Sequence, residues 1–266
     1  MRAKTTNARR CAWRHSTRTA LVLTTLLVAA PGARADARLD LARQLENLHS
    51  PAPLRATVQL DLRLDQKLHS KAAQGQATLR VEVEQDATGL TVHWESSSLE
   101  DANVEERERD RDPDHLTPVR QAMTELDAAR LGHLLDQAST IAGLTRDTPI
   151  EDEADSYEGH QARRLVYRFN PRLTWSDAYY LRRSEGRFKL WVAADGTPLG
   201  SESVASYEGK TGRAFGRFHG KTTTRTRYAV EQQRLRVADR DVDELVSHDD
   251  GGDVHHTAKR FVIDAR

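Results

Sequence analysis

The sequence predicts a mainly β fold of the α+β kind. We expect one large antiparallel, curved sheet or incomplete barrel of about ten strands, with a few covering helices. The main observation is a strict alternation of apolar and polar residues, which is typical of strands with one dry and one wet face. Apolar residues make up 38% of the chain and aromatic residues 6%. That composition suits a thin core on one face of a sheet and is too polar for strands buried on both faces.

The first half of the chain shows the alternation most clearly. A short helix over 36–48, with leucines on one face, precedes three alternating segments at 54–65, 77–84 and 90–95. The stretch from Glu100 to Asp114 is predicted to be a charge-dense loop. One helix is then predicted from Thr117-Pro118 to Gly143, because it has an N-cap residue, a proline at the first helical position and an apolar stripe. We expect it to cover the dry face of the sheet.

From Thr148 to the end of the sequence, the pattern returns to strands. Turns are predicted at 158–160, 194–196 and 249–252, where Gly and Asp are concentrated. Residues 171–184 interrupt the strands with a segment rich in aromatic residues. No linker or fixed repeat divides the chain after residue 35, so the sequence predicts a single β-rich domain over 36–266.

Residues 1–35 have the order of an export signal. A basic stretch precedes the run of eleven residues Ala20–Ala30, and Ala33-Arg34-Ala35 offers small residues for cleavage near Ala35. The alternative, a membrane anchor, needs roughly 20 apolar residues. The sequence therefore predicts a cleaved signal peptide, a periplasmic address and no transmembrane span in the mature chain. Both the general secretory route and the twin-arginine route stay open, the latter because of Arg9-Arg10.

Charge and cysteine content narrow the class of partner. The first 35 residues hold seven basic groups and no acidic one, which leaves 33 basic and 40 acidic groups in the predicted mature chain. A protein of that sign has little attraction for a polyanion, so we expect no nucleic-acid partner. The only cysteine, Cys11, lies in the predicted signal. The mature chain would therefore contain no disulfide and no thiolate metal site.

The sequence contains no recognisable catalytic motif. The nucleophile elbow, the zinc-protease motif, the phosphate loop and the dinucleotide fingerprint do not occur in the sequence. The one set of metal-ligand residue types, His248 to His256, surrounds an Asp-Asp-Gly-Gly turn, and we interpret it as a polar turn. We therefore predict no catalytic residue, no metal site, no cofactor and no enzymatic activity.

The best candidates for ligand contact are aromatic. Trp175, Tyr179 and Tyr180 lie on the excursion between strands, where they are placed to close over an apolar cavity. The alternative is that they only pack against the edge of the sheet.

The stretch Phe188-Lys189-Leu190-Trp191-Val192-Ala193-Ala194-Asp195-Gly196-Thr197-Pro198-Leu199, together with the order of elements, resembles the LolA/LolB/RseB type of periplasmic protein. This resemblance implies an incomplete barrel whose concave face is covered by helices and holds acyl chains. The predicted loop over 100–114 departs from that pattern.

Two functions follow as alternatives. The first is a carrier or sensor that binds a lipid acyl chain or another apolar ligand in the concave face. The second is an envelope interaction or sensor module with a filled core, which binds a protein partner and no small molecule.

Overall fold

Ten strands and five helices occupy the part of the chain that the computed structural model describes, namely residues 36–68, 71–171, 181–210, 216–249 and 253–265. In chain order they are α1 Ala37–Asn47, β1 Leu54–Leu68, β2 Lys71–Asp86, β3 Gly89–Trp94, α2 Ser96–Arg111, α3 Pro118–Glu125, α4 Ala128–Leu135, α5 Ala138–Leu144, β4 Glu151–Tyr157, β5 His160–Phe169, β6 Leu181–Val192, β7 Pro198–Lys210, β8 Arg217–Glu231, β9 Arg234–His248 and β10 Val254–Ala265.

The strands form a single antiparallel sheet with the order β3-β2-β1-β10-β9-β8-β7-β6-β5-β4. From β1 the chain moves outward to the β3 edge, and the segment that contains α2 to α5 leads to the opposite edge. The strands β4 to β10 then return as a meander until β10 pairs with β1. Because β3 and β4 are both edges, the sheet stays open, and the predicted fold class is confirmed.

The alternation in β1 becomes a dry face and a wet face. The even-numbered residues from Leu54 to Leu64 are buried, and the odd-numbered ones between them are exposed or half-buried. Val58 lies opposite Val81 of β2 and Ile263 of β10, so the same face stays apolar across three strands. A shift of one residue would move every leucine of β1 to the wet side, so the pattern itself specifies this register.

The helices cover the dry face in two places. Around β1 and β2, the sheet packs against α3 and α4. Around β5, β6 and the start of β9, it packs against α1 and α5. The predicted helix over 36–48 is confirmed as α1, whose N-cap Asp36 accepts a hydrogen bond from the backbone N of Arg38. None of the described helices is long and apolar enough to cross a membrane.

The predicted loop over 100–114 is mostly helix. Helix α2 extends to Arg111 although Ser98 is its only buried residue. Glu and Arg have high helix propensity, so a segment rich in them can form a helix without an apolar stripe. The Glu105 carboxylate also accepts the backbone N–H groups of Val119 and Arg120, at 2.9 and 3.0 Å. This contact anchors α2 to the positive end of α3.

The single helix predicted from Thr117 to Gly143 is three short helices. Helix α3 ends with Leu126 as its C-cap, and Asp127 begins α4, because its side chain accepts from the backbone N of Arg130 at 2.8 Å. Gln137 separates α4 from α5, and its backbone N donates instead to Leu235 O of β9 at 2.8 Å. The apolar spacing alone predicts one continuous helix. The cap at Asp127 and the hydrogen bond from Gln137 to the sheet divide it into three.

Candidate functional site

The three predicted ligand contacts, Trp175, Tyr179 and Tyr180, lie outside the described residues. The flanking strands end at Phe169 and begin again at Leu181. Their role as ligand contacts stays a prediction, and the candidate site below is built from described residues alone.

Under the helices, the dry face is filled by the protein's own side chains. Leu60 of β1 and Leu135 of α4 are at most 1% exposed in the first cluster, and Leu165, Leu190 and Ile141 are fully buried in the second. Side chains packed in this way leave few voids larger than a water molecule. The region where the resemblance implies an acyl chain is thus occupied by leucine, valine and alanine.

Next to the helices, the same face of the sheet becomes more polar. The register places Ser203, Thr224, Val242 and Lys259 in one row across β7 to β10, and Lys259 pairs with Glu125 of α3 at 2.8 Å. At the border, Arg240 donates to Thr226 Oγ1 at 3.2 Å and to Gln137 Oε1 at 3.0 Å. Burial lowers the pKa of Arg240. An acyl chain here would meet hydroxyl and charged groups beside apolar side chains such as Val242.

At the hairpin end of this face lies a cluster of aromatic and imidazole rings. Ring centroids are 6.2 Å apart for Tyr207 and Phe218, 6.3 Å for Phe218 and His248, and 6.0 Å for His248 and His255. His256 points to the opposite face, where its Nε2 lies 2.9 Å from Asp243. The sheet therefore separates the histidines that the sequence places together. No group of three or more metal-ligating side chains occurs among the residues that the structure describes.

These two neighbouring histidines should respond to pH in opposite directions. Burial, and then the charge of His248, lowers the pKa of His255, although Asp253 acts the other way. A hydrogen bond to Asp243, supported by Asp65, raises the pKa of His256. The contribution of His256 to stability is therefore present below pH 6.5 and is lost as the pH rises through its folded pKa. Protonation of His255 instead opposes folding as the pH falls below 6.5.

We expect His255→Gln to gain stability relative to the wild type as the pH falls from 7.5 to 5, because the variant lacks the penalised charge. His256→Gln should lose stability relative to the wild type over the same interval. Thermal unfolding of all three proteins at both pH values checks this. Parallel shifts of both variants would contradict the two assigned pKa directions.

The wet face carries an ordered row of charges across six strands. We call it the charge row, and its members, each opposite the next, are Asp61 of β1, Arg260 of β10, Asp241 of β9, Arg225 of β8, Glu202 of β7 and Lys189 of β6. Opposite charges directly across an antiparallel pair attract, so the alternating signs stabilise the register.

The two ends of the charge row differ in how tightly they are paired. Lys189 Nζ lies 2.8 Å from Glu202 and Arg225 Nε lies 3.2 Å from it. The hydrogen bond from Lys189, supported by that from Arg225, lowers the pKa of Glu202. Arg260, by contrast, lies 3.9 Å from Asp241 and 3.4 Å from Asp239, and the side chains of Arg260 and Asp241 are 60% and 57% exposed. Pairs so exposed are weak, so these groups stay accessible to a partner.

The loosely paired end of the charge row lies in a groove, which we call the charged groove. It has a volume of about 680 Å³ and crosses the wet face from β2 to β8. Its lining combines charges of both signs with hydroxyl and amide groups, including Asp61, Arg225, Asp241, Arg260, Thr78 and Gln76. A second depression of about 950 Å³ lies on the same face over β5 to β7 and is lined by further charges. The wet face thus carries two depressions with charged linings.

Comparison with known proteins adds no assignment. No family model matches the sequence, no curated protein matches it, and no solved structure matches its fold.

Sequence reasoning found the wet face but missed the groove. Asp61 was recognisable as a polar position of an alternating strand, whereas its neighbour Arg260 is 199 positions away in the sequence. The alternating signs of the charge row appear only when the strand order and the register are known. The one sequence signal for a polar site was the number of polar residues in β8 to β10. It is larger than a single solvent-exposed face would require.

Proposed function

We propose that the protein is an exported, non-enzymatic binding module of the bacterial envelope that recognises a polypeptide through the charged groove. The observation that carries the proposal is the contrast between the two faces. The dry face is packed with buried side chains under its helices, whereas two open depressions with charged linings lie on the wet face. A smaller depression of about 290 Å³ lies on the helix side, between α1 and α5. The contrast between the faces supports the interaction module over the acyl-chain carrier, which stays a prediction.

The chemistry of the groove favours a polypeptide over other classes of ligand. A polyanion would meet carboxylates at Asp61 and Asp241, and an acyl chain would have to desolvate charged groups on every strand. A polypeptide carries side chains of both signs and can match such an alternating surface. Exposed guanidinium groups such as those of Arg225 and Arg260 are well suited to carboxylates of the partner, because they bind them in a bidentate geometry.

Site-specific photocrosslinking in the producing cells tests this function. A benzophenone side chain placed at Thr223 lies in the groove, and the same side chain at Arg43 of α1 is the control on the helix side. We expect a discrete adduct with another polypeptide from position 223 and none from position 43. An adduct with lipid alone, or equal adducts from both positions, would contradict the proposal.

The double substitution Arg225→Ala with Arg260→Ala should remove that adduct. Both side chains are mostly exposed, so we expect the free energy of unfolding to change by less than about 1 kcal/mol. If the adduct is lost while the variant stays folded, the two arginines are needed for recognition of the partner. An undiminished adduct from the double variant would show that the charged groove is not the contact surface.

The predicted export is part of the proposal and has its own test. The mass of the protein recovered from the producing cells should correspond to a chain that begins at Asp36, which follows the predicted cleavage site. Recovery of the intact 266-residue chain from the cytoplasm would contradict the envelope address.

A further inference from the structure

One half of β2 forms an open edge of the sheet. β3 pairs with β2 only from Val81 to Asp86. From Lys71 to Arg80, β2 pairs with β1 on one side, and no described strand pairs with it on the other. Along this half the side chains are exposed or half-buried except for Leu79. Alternate backbone N–H and C=O groups of such an edge are available to a further strand.

The middle of this open edge lacks the features that usually protect an edge, and charged residues occur only at its ends, Lys71 and Arg80. Proteins block strand pairing at edges with charged residues, prolines or bulges. Ala72 to Leu79 contains no charged residue and no proline, and its pairing with β1 is regular. The opposite edge of the sheet, β4, has the sequence Glu-Asp-Glu-Ala-Asp-Ser-Tyr. Its four carboxylates disfavour pairing with a further strand. The difference indicates that pairing is prevented at β4 and permitted at β2.

The central five residues of the open edge, Ala73 to Ala77, are symmetric about Gly75. Reading outward from that residue, Gln74 matches Gln76 and Ala73 matches Ala77. We propose that a second copy of this chain docks here, with the two β2 strands antiparallel and Gly75 on the two-fold axis. A two-fold interface needs a self-complementary surface, and this five-residue palindrome provides one at the proposed axis.

The proposed register leaves no like charges opposed over the described part of the edge. Gln74 lies opposite Gln76 of the second copy, Ala73 opposite its Ala77, and Lys71 opposite its Leu79. Leu116 and Pro118 stand beside Gly75 on the helix side, 3.5 and 3.3 Å from where a Cβ would lie. The two-fold axis therefore also brings two apolar patches together. Pairing buries the open half of β2 in both copies, and because a two-fold contact uses the same surface of each copy, it adds no third copy.

Charge variants of the two glutamines test the register itself. Both side chains are exposed on the wet face, where Asp65 is the strand neighbour of Gln74 and Arg63 that of Gln76. In Gln74→Lys with Gln76→Lys, every lysine faces a lysine of the other copy. In Gln74→Lys with Gln76→Glu, every lysine faces a glutamate, and within each chain the new charges also complement Asp65 and Arg63.

Sedimentation velocity of the full chain as cells produce it measures the outcome over a range of concentration. We expect a concentration-dependent dimer for the wild type, at least a tenfold weaker dimer for the lysine pair, and a dimer as tight as wild type or tighter for the lysine–glutamate pair. Circular dichroism should be the same for all three, since the substituted positions are exposed. A wild type that stays monomeric up to its solubility limit overturns the proposal. A dimer that the lysine pair leaves unchanged, or that both variants weaken alike, overturns it too.

Discussion

Replacing Arg234 with methionine is expected to lower the free energy of unfolding by about 3 kcal/mol. The side chain is only 4% exposed at the start of β9. Its guanidinium donates to Ser50 O at 3.1 and 2.6 Å, to Ala52 O at 2.7 Å and to Gln85 Oε1 at 2.6 Å. These bonds connect the segment between α1 and β1 with the β8–β9 hairpin and with β2. Methionine fills much of the volume of the arginine side chain and removes all of its hydrogen-bond donors.

Urea unfolding of the variant measures that loss, and Arg225→Met is the matched control. Arg225 is 70% exposed with a single carboxylate pair, so its replacement should change the free energy of unfolding by less than about 0.5 kcal/mol. Equal midpoints for the two variants would mean that the hydrogen bonds of Arg234 do not hold these segments together.

Substituting Gly196 with alanine is expected to destabilise the protein by about 3 kcal/mol or more. Gly196 has φ +87° in the turn between β6 and β7, where a side chain strains the backbone. An added Cβ would also lie 2.4 Å from Asp40 C and 2.7 Å from Leu41 N, both backbone atoms of α1. The helix would have to move, and with it the buried Leu41 and Leu45.

The control for this substitution is Gly132→Ala in α4. No atom lies within 4 Å of the Cβ that alanine would add there, and the position is helical. Alanine should therefore stabilise the protein by up to about 1 kcal/mol through helix propensity. Thermal unfolding of both variants should shift the midpoint in opposite directions. A Gly196→Ala protein as stable as the wild type would refute the close approach of the turn to α1.

Local patterns made most of the sheet predictable. The alternation from Leu54 to Leu64 specifies both the strand and its buried face, and the turn at Glu158-Gly159 lies where its residue types require. Local patterns failed where a distant contact decides the structure. Helix α2 is anchored by Glu105 to the start of α3, and the helix break at Gln137 depends on a hydrogen bond to Leu235.

The candidate site was less predictable than the fold for the same reason. A carboxylate such as Asp61 looks like any solvated strand residue until Arg260 is known to lie beside it. Arg234 likewise carries no sequence mark of its four hydrogen bonds, because all of its partners lie far away in the chain. The aromatic residues that the sequence selected, Trp175 and its neighbours, lie outside the described residues.

The protein fills the dry face under its helices with its own side chains, and we propose that it recognises a partner with the wet face. Native mass spectrometry of the protein, gently released from the cells that produce it, tests this most directly. We expect a mass equal to that of polypeptide alone, with no acyl ligand retained. A stoichiometric lipid that leaves only on unfolding would contradict the account.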